Sequence, residues 1–281
     1  MQQLSQFGFR KIKEILPPKA KNNLFKTPPI GSFPIPVGQT GTERNDHLRS
    51  GTFLNRYEHL SRYVFASNNE KATILDVGCG TGYGSAILAE KGHSFGFDIS
   101  IEALTYARNT YPDSEFICGS AESMPFADSS MDAITGFEVI EHLIHPEAFL
   151  TECRRILKPH GRLYVSSPNP ANLANLMQNR LFGTPIPQKN PGLLDHVKEF
   201  QYEEMLNILR KNGFQPKESI GQTIHFTSSM IGIGILVRKA FKLTRLEDVL
   251  DWIESRSGTK HPKIAGNGVY LAEKTDMPTS E

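Results

Sequence analysis

The chain contains no stretch of about 18 apolar residues, so no spanning helix is expected. Its most apolar run, Met230 to Val237, is short and interrupted by glycines. A compact apolar segment of the kind found in secretory signals is also missing near the start. There are three cysteines, Cys79, Cys118 and Cys153, with no CxxC pair among them. That scarcity argues against a disulfide framework and against a structural zinc site, and favours the reducing cytoplasm. Excess charge of either sign is absent as well, with 31 Lys and Arg against 30 Asp and Glu. Such a balance gives no reason to expect a polyanion, so no nucleic-acid partner is expected. No internal repeat is visible.

What remains is enough for a sizeable core: 281 residues, 38% of them hydrophobic. Residues 1–50 read as an N-terminal arm. Within it, Leu4 to Leu16 suits a short basic amphipathic helix that docks on the protein or makes weak peripheral contact with a membrane surface. Residues 17–50, with Pro17-Pro18, Pro28-Pro29, Pro34 and Pro36, read as an extended linker. A helix over Tyr57 to Ala66 leads into one domain, residues 51–281.

In that domain, strand and helix patterns alternate. Thr73 to Val77 is a short apolar run ending at glycines, as a buried strand should be. A helix is expected over Gly84 to Lys91, closed by Gly92 at its C′ position. The spacing then predicts a strand over Ser94 to Phe97, and a helix capped by Ser100 and running to Asn109. Further strands are predicted over Glu115 to Cys118 and Met131 to Phe137. Pro146 opens a helix to Leu157, and Lys158-Pro159-His160-Gly161 turns into a strand over Arg162 to Ser166. Residues 171–200 read as an insertion or lid. Tyr202 to Asn212 is a helix stopped by Gly213, Phe214 begins a strand, and Gly268 to Glu273 pairs antiparallel with it. A C-terminal helical insertion is expected over about 222–265. This rhythm implies an α/β fold, a doubly wound sheet with helices on both faces.

The segment Asp76-Val77-Gly78-Cys79-Gly80-Thr81-Gly82 joins the first strand to the first helix. Ligands of open parallel sheets bind there, beyond the carboxyl ends of the strands. Glycines at 78, 80 and 82 let the backbone turn sharply and approach a ligand closely. The spacing is DxGxGxG rather than the dinucleotide GxGxxG. A strand-end carboxylate beside the loop suits a ligand with a cationic amine and no pyrophosphate. Asp98, at the end of the second strand, is placed to accept two hydrogen bonds from ribose hydroxyls.

Ile74 to Gly82 resembles motif I of class I S-adenosylmethionine (SAM) dependent methyltransferases of the type 11, ubiquinone-biosynthesis-like group. Within that group the likeness is nearest to saccharide and natural-product O-methyltransferases. Ser120 to Phe126 is similar to the segment lining the adenine pocket, Phe137 to Leu143 to the fourth-strand motif, and Arg155 to Gly161 to the turn before strand five. The resemblance implies a Rossmann-like seven-stranded sheet of order 3-2-1-4-5-7-6. It implies SAM as cofactor, with S-adenosylhomocysteine as product, held by Asp76, Gly78, Cys79, Gly80, Gly82, Asp98, Ile99, Ser120, Ala121, Glu122, Phe137 and Glu138. Position 120 departs from the family, which often carries Asp there.

Methyl transfer from a sulfonium is an in-line displacement, helped by positioning and, for a hydroxyl acceptor, by a general base. His142, just after the fourth strand, and His196, ahead of the Tyr202 helix, are the catalytic candidates, since histidine changes charge near neutrality. His145 reads as solvated or packing. Tyr83, Asn169, Tyr57 and Arg62 are further candidates to line or close the pocket. Glu138-xx-Glu141-His142 with His196 also resembles the metal-holding set of small-RNA 2′-O-methyltransferases, although no metal is assigned. The expected reaction is methylation of a hydroxyl on a small molecule or glycan. Rivals are a quinone-type ring O- or C-methyltransferase, a metal-assisted RNA 2′-O-methyltransferase, and a non-catalytic SAM-binding partner protein. A homodimer is compatible with all of these.

Overall fold

A computed structural model describes residues 72–90, 92–112, 114–189, 195–222, 257 and 259–275. The expected N-terminal arm and the expected helix with Tyr57 and Arg62 lie outside the described residues, as does most of the 222–265 insertion. The strands are β1 (Ala72–Val77), β2 (Gly92–Asp98), β3 (Glu115–Cys118), β4 (Met131–Phe137), β5 (Leu157–Pro168), β6 (Phe214–Gly221) and β7 (Asn267–Lys274). They form one seven-stranded sheet of order β3-β2-β1-β4-β5-β7-β6. The first five pair in parallel, and β7 runs antiparallel to both β5 and β6. The helices are α1 (Tyr83–Leu88), α2 (Ile101–Thr110), α3 (Pro146–Ile156), α4 (Leu173–Phe182) and α5 (Tyr202–Lys211).

Alternation along the central strands builds a core on each face of the sheet. Leu75, Val77, Ile134, Leu163 and Val165 pack with Phe149, Cys153 and Ile156 of α3 and Met205 and Leu209 of α5. On the other face, Ile74, Ala133 and Tyr164 pack with Tyr83, Ala86 and Leu88 of α1 and Leu104 and Ala107 of α2. The chain leaves β1 toward β2 on one side and returns past it to β4 on the other. The carboxyl ends of β1 and β4 therefore flank the switch point where such sheets take their ligands.

Two expectations change, and one segment gains a helix. The helix after the glycine loop ends at Leu88, and Gly92 is the first residue of β2, not a cap. A side chain at Gly92 would overlap the carbonyl oxygen of Ala72, so close pairing of β1 and β2 explains that glycine. The turn at Lys158–Gly161 lies inside β5, since Leu157 pairs with Met131 and Arg162 with Ala133. Residues between those pairs loop out as a bulge, with His160 at φ 60. Segment 171–200, read as an insertion or lid, carries α4, capped by the Asn172 side chain accepting from the Asn175 amide and closed by Gly183. None of its residues is buried, although Leu173, Leu176, Met177 and Leu181 recur at helical spacing. Among the described residues no helix is long and apolar enough to cross a membrane.

Candidate active site

The loop after β1 is built from three left-handed glycines, with φ of 70 at Gly78, 52 at Gly80 and 80 at Gly82. A side chain at Gly78 would run into Val139. The Gly78 amide donates to the Phe97 carbonyl over 2.7 Å, which ties the loop to β2. Asp98 completes that tie: its carboxylate accepts from the amides of Gly80 and Ser100, each over 2.8 Å. Its ordered oxygens stand at the end of β2, where ribose hydroxyls were expected.

Asp76 is 1% exposed. It lies on the α1 face of the sheet, level with Thr135 on the neighbouring strand. Its two oxygens accept from the hydroxyls of Ser85, over 2.7 Å, and Thr135, over 2.6 Å. The carboxylate thus pins β1, β4 and α1 together beneath the loop. Its field is felt at Cys79, whose thiol is pushed up by burial and then by the negative charges of Asp76 and Asp98. A loop of this potential suits a cationic ligand and repels a pyrophosphate.

Beyond β3, Ser120 to Ser123 form a tight turn. Ser120 is exposed, and its hydroxyl already accepts the Glu122 amide over 3.3 Å. Glu122 in turn accepts the His145 amide over 3.1 Å. A clamp that sequence reasoning missed holds this segment. Arg155 of α3 donates to the carbonyls of Met124 and Phe126 and to Asp128 and Glu152. Glu152 also accepts the Met124 amide over 2.8 Å. Ile99, beside Asp98, is 76% exposed, an apolar side chain facing outward at the edge of the site. Phe137 is buried at the end of β4.

Glu138 holds a strained φ of 55. Its carboxylate accepts from Ser166 over 2.7 Å and from Asn267 over 3.2 Å, joining the ends of β4, β5 and β7. Asn169 is 1% exposed and spends its side chain on the backbone of Lys263, Ala265 and Ala171. It brackets β5 to the segment before β7. Tyr83 is buried in the core beside α1.

His142 and His196, far apart in sequence, come together with ring centroids 4.7 Å apart and planes at 87°. The Nδ1 of His142 faces the Asp195 carbonyl at 3.2 Å. The Nδ1 of His196 faces the Glu199 carboxylate at 2.8 Å, in a pair 7% and 3% exposed. Val197 and Lys198 donate their amides to the Glu141 carbonyl, which hooks this segment onto the turn after β4. Glu141 is fully buried next to both rings. Of the four residues considered for a metal, the structure gathers Glu141, His142 and His196, while Glu138 bonds Ser166 and Asn267 instead. His145 is exposed.

Known proteins share this domain. A family model described as a methyltransferase domain matches residues 75–165, from β1 into β5. A probable S-adenosylmethionine-dependent methyltransferase of Mycolicibacterium smegmatis is 31% identical over 194 residues, 69% of this chain and 71% of that protein. Ubiquinone biosynthesis O-methyltransferase of Neisseria meningitidis is 29% identical over 165 residues, 55% of this chain and 68% of that protein. Other relatives are matched over 22% or 48% of their length. The solved structure of Burkholderia thailandensis 1,6-didemethyltoxoflavin-N1-methyltransferase, with S-adenosylhomocysteine bound, superposes with a TM-score of 0.52 at 16% identity. That match covers 84% of this chain and 83% of that one, and shows a shared fold.

Proposed function

The chain belongs to the SAM-dependent methyltransferases, and on that premise we propose that it methylates a hydroxyl group of a small molecule or glycan, with His142 as general base. When bound, SAM supplies a methyl group on a cationic sulfur and leaves as S-adenosylhomocysteine. The glycine loop and Cys79 close against it from below, Asp98 holds the ribose, and Ile99, Ser120, Ala121 and Glu122 border the adenine. Phe137 and Glu138 flank the methionine end, and Asp76 acts on it through its field from beneath the loop.

The observation that carries the hydroxyl reading is the paired imidazoles. Each Nδ1 faces an oxygen, the Asp195 carbonyl or the Glu199 carboxylate, an arrangement that the Nδ1–H tautomer of each ring satisfies. Nε2 of each is left with a lone pair able to take a proton from an acceptor. The His142 side chain is 32% exposed and His196 only 7%, so His142 is the ring an acceptor reaches, with His196 packed edge-on behind it.

A phenolic quinone precursor is the second reading, favoured by the relative named for ubiquinone biosynthesis. We place the reaction in the reducing cytoplasm, because Cys79, Cys118 and Cys153 are all free thiols. The test is turnover on a panel of catechols, saccharides and amines. Hydroxyl acceptors are expected to react, and His142→Ala to lower kcat by about 10²–10⁴ while SAM affinity holds. Methylation confined to amines, or full activity in the variant, contradicts the reading.

A further inference from the structure

We propose that Glu141, His142 and His196 form a binding site for a first-row divalent metal cation, with Glu199 and the Asp195 carbonyl orienting the two imidazoles. Each of the three offers a ligand atom, and these atoms lie within 4.8 Å of one another. Bonds of about 2.0–2.2 Å set tetrahedral ligand atoms roughly 3.3–3.6 Å apart, so small side-chain rotations close the set around an ion.

The orientation of the rings is a separate observation. Metal-ligating histidines donate their other ring N–H to a carboxylate or a backbone carbonyl, which fixes the tautomer and raises the basicity of the ligating nitrogen. Both forms occur here, with the Glu199 carboxylate 2.8 Å from Nδ1 of His196 and the Asp195 carbonyl 3.2 Å from Nδ1 of His142. Both Nε2 atoms are thereby prepared as ligands. The two segments are also locked in register, because the Glu141 carbonyl accepts the Val197 amide over 2.8 Å and the Lys198 amide over 3.2 Å. The Lys189 ammonium donates to the His196 carbonyl over 2.7 Å, holding that turn from outside.

Two imidazoles and one carboxylate favour zinc, iron or manganese over magnesium or calcium, which prefer oxygen alone. Three protein ligands leave a fourth position open, as in catalytic rather than structural zinc sites. The chemical consequence rests on the hydroxyl reading above. An acceptor oxygen in the open position becomes a stronger acid, as metal-bound water does. Its O–H bond breaks and the proton passes to water. The O–C bond then forms as the C–S bond breaks, and the sulfur keeps the electron pair. In the loaded site the imidazoles act through the ion, and His142 no longer takes the proton itself.

The test is calorimetric titration of Zn²⁺ and of Mg²⁺ into the untagged, chelator-stripped full chain without SAM. The result expected is one Zn²⁺ per chain and much weaker Mg²⁺ binding. Glu199→Gln is expected to weaken Zn²⁺ by about 10–100-fold, and His196→Ala to abolish the site, while SAM binding shows that both variants are folded. No Zn²⁺ binding by the wild-type chain overturns the proposal, as does binding unchanged in a folded Glu141→Gln, His142→Ala double variant. A stripped chain that methylates hydroxyl acceptors yet binds no Zn²⁺ refutes the ion and leaves the proposed function standing. A chain that binds Zn²⁺ but not SAM does the reverse.

Discussion

Replacing Thr135 by Val changes one buried hydroxyl into a methyl group of nearly the same shape. Thr135 is fully buried and its Oγ1 lies 2.6 Å from Asp76, a carboxylate that is itself 1% exposed. A hydrogen bond to a charged group contributes about 1.5–3 kcal/mol. Against a domain stability of about 5–15 kcal/mol, that is a sizeable fraction. Thr135→Val should therefore lower the unfolding free energy by that amount, read as a lower urea midpoint at unchanged slope. Ser85→Ala should do the same from the other oxygen, where the bond is 2.7 Å. Because both hydroxyls serve one carboxylate, the double variant should deviate from the sum of the singles by about 0.5–3 kcal/mol. SAM affinity should fall less than about tenfold, or 1.4 kcal/mol, since both hydroxyls lie beneath the loop and leave the charge in place. An unmoved midpoint in both single variants, or strict additivity, would refute the view that Asp76 pins β1, β4 and α1 together.

Gly78→Ala places a side chain where φ is 70 and where Val139 already stands. The left-handed backbone costs about 1–2 kcal/mol and the overpacking about 1–3, so thermal unfolding should show a loss of about 2–5 kcal/mol with weakened SAM binding. A variant as stable as wild type would mean that the loop does not hold this conformation. Glu152 sits below its usual value of 4.5 because Arg155 hydrogen-bonds it, against the effect of burial and with help from the Met124 amide. A group depressed on folding adds stability that is present above the unfolded value and lost as pH falls through the folded one. Urea unfolding between about pH 3 and 6 should therefore show a shallower acid dependence in Glu152→Gln than in wild type. Parallel curves would remove Arg155 and Glu152 as the clamp on the segment that carries Met124 and Phe126.

The glycine loop and the sheet around it were legible largely from local pattern, with β1, β2 and β5 stopped by Gly78, Asp98 and Pro168. Gly92 misled, since a helix-ending glycine and a strand glycine pressed against Ala72 look alike in sequence. Helix α4 was missed although Leu173, Leu176, Met177 and Leu181 recur at helical spacing, because the Asn, Pro and Gly around it marked the stretch as an insertion. The partners of Asp76 were out of reach for another reason. Ser85 follows within the next helix, but Thr135 meets Asp76 only through the β1–β4 register. Glu199 was unreadable in the same way, since its role appears only once the 195–200 segment folds back onto Glu141. The ends of the strands could be read from local pattern, whereas the groups that orient the site come from distant elements.

Titration calorimetry of SAM into the purified chain, with Asp98→Ala alongside, tests the central claim most directly. Asp98 joins the Gly80 and Ser100 amides, and the proposed function places the ribose on it. Two hydrogen bonds to a charged carboxylate amount to about 3–6 kcal/mol. Wild type is expected to bind one SAM per chain, and Asp98→Ala to weaken it by about a hundredfold or more. Absence of SAM binding by the wild type, or equal binding by the variant, would contradict the account.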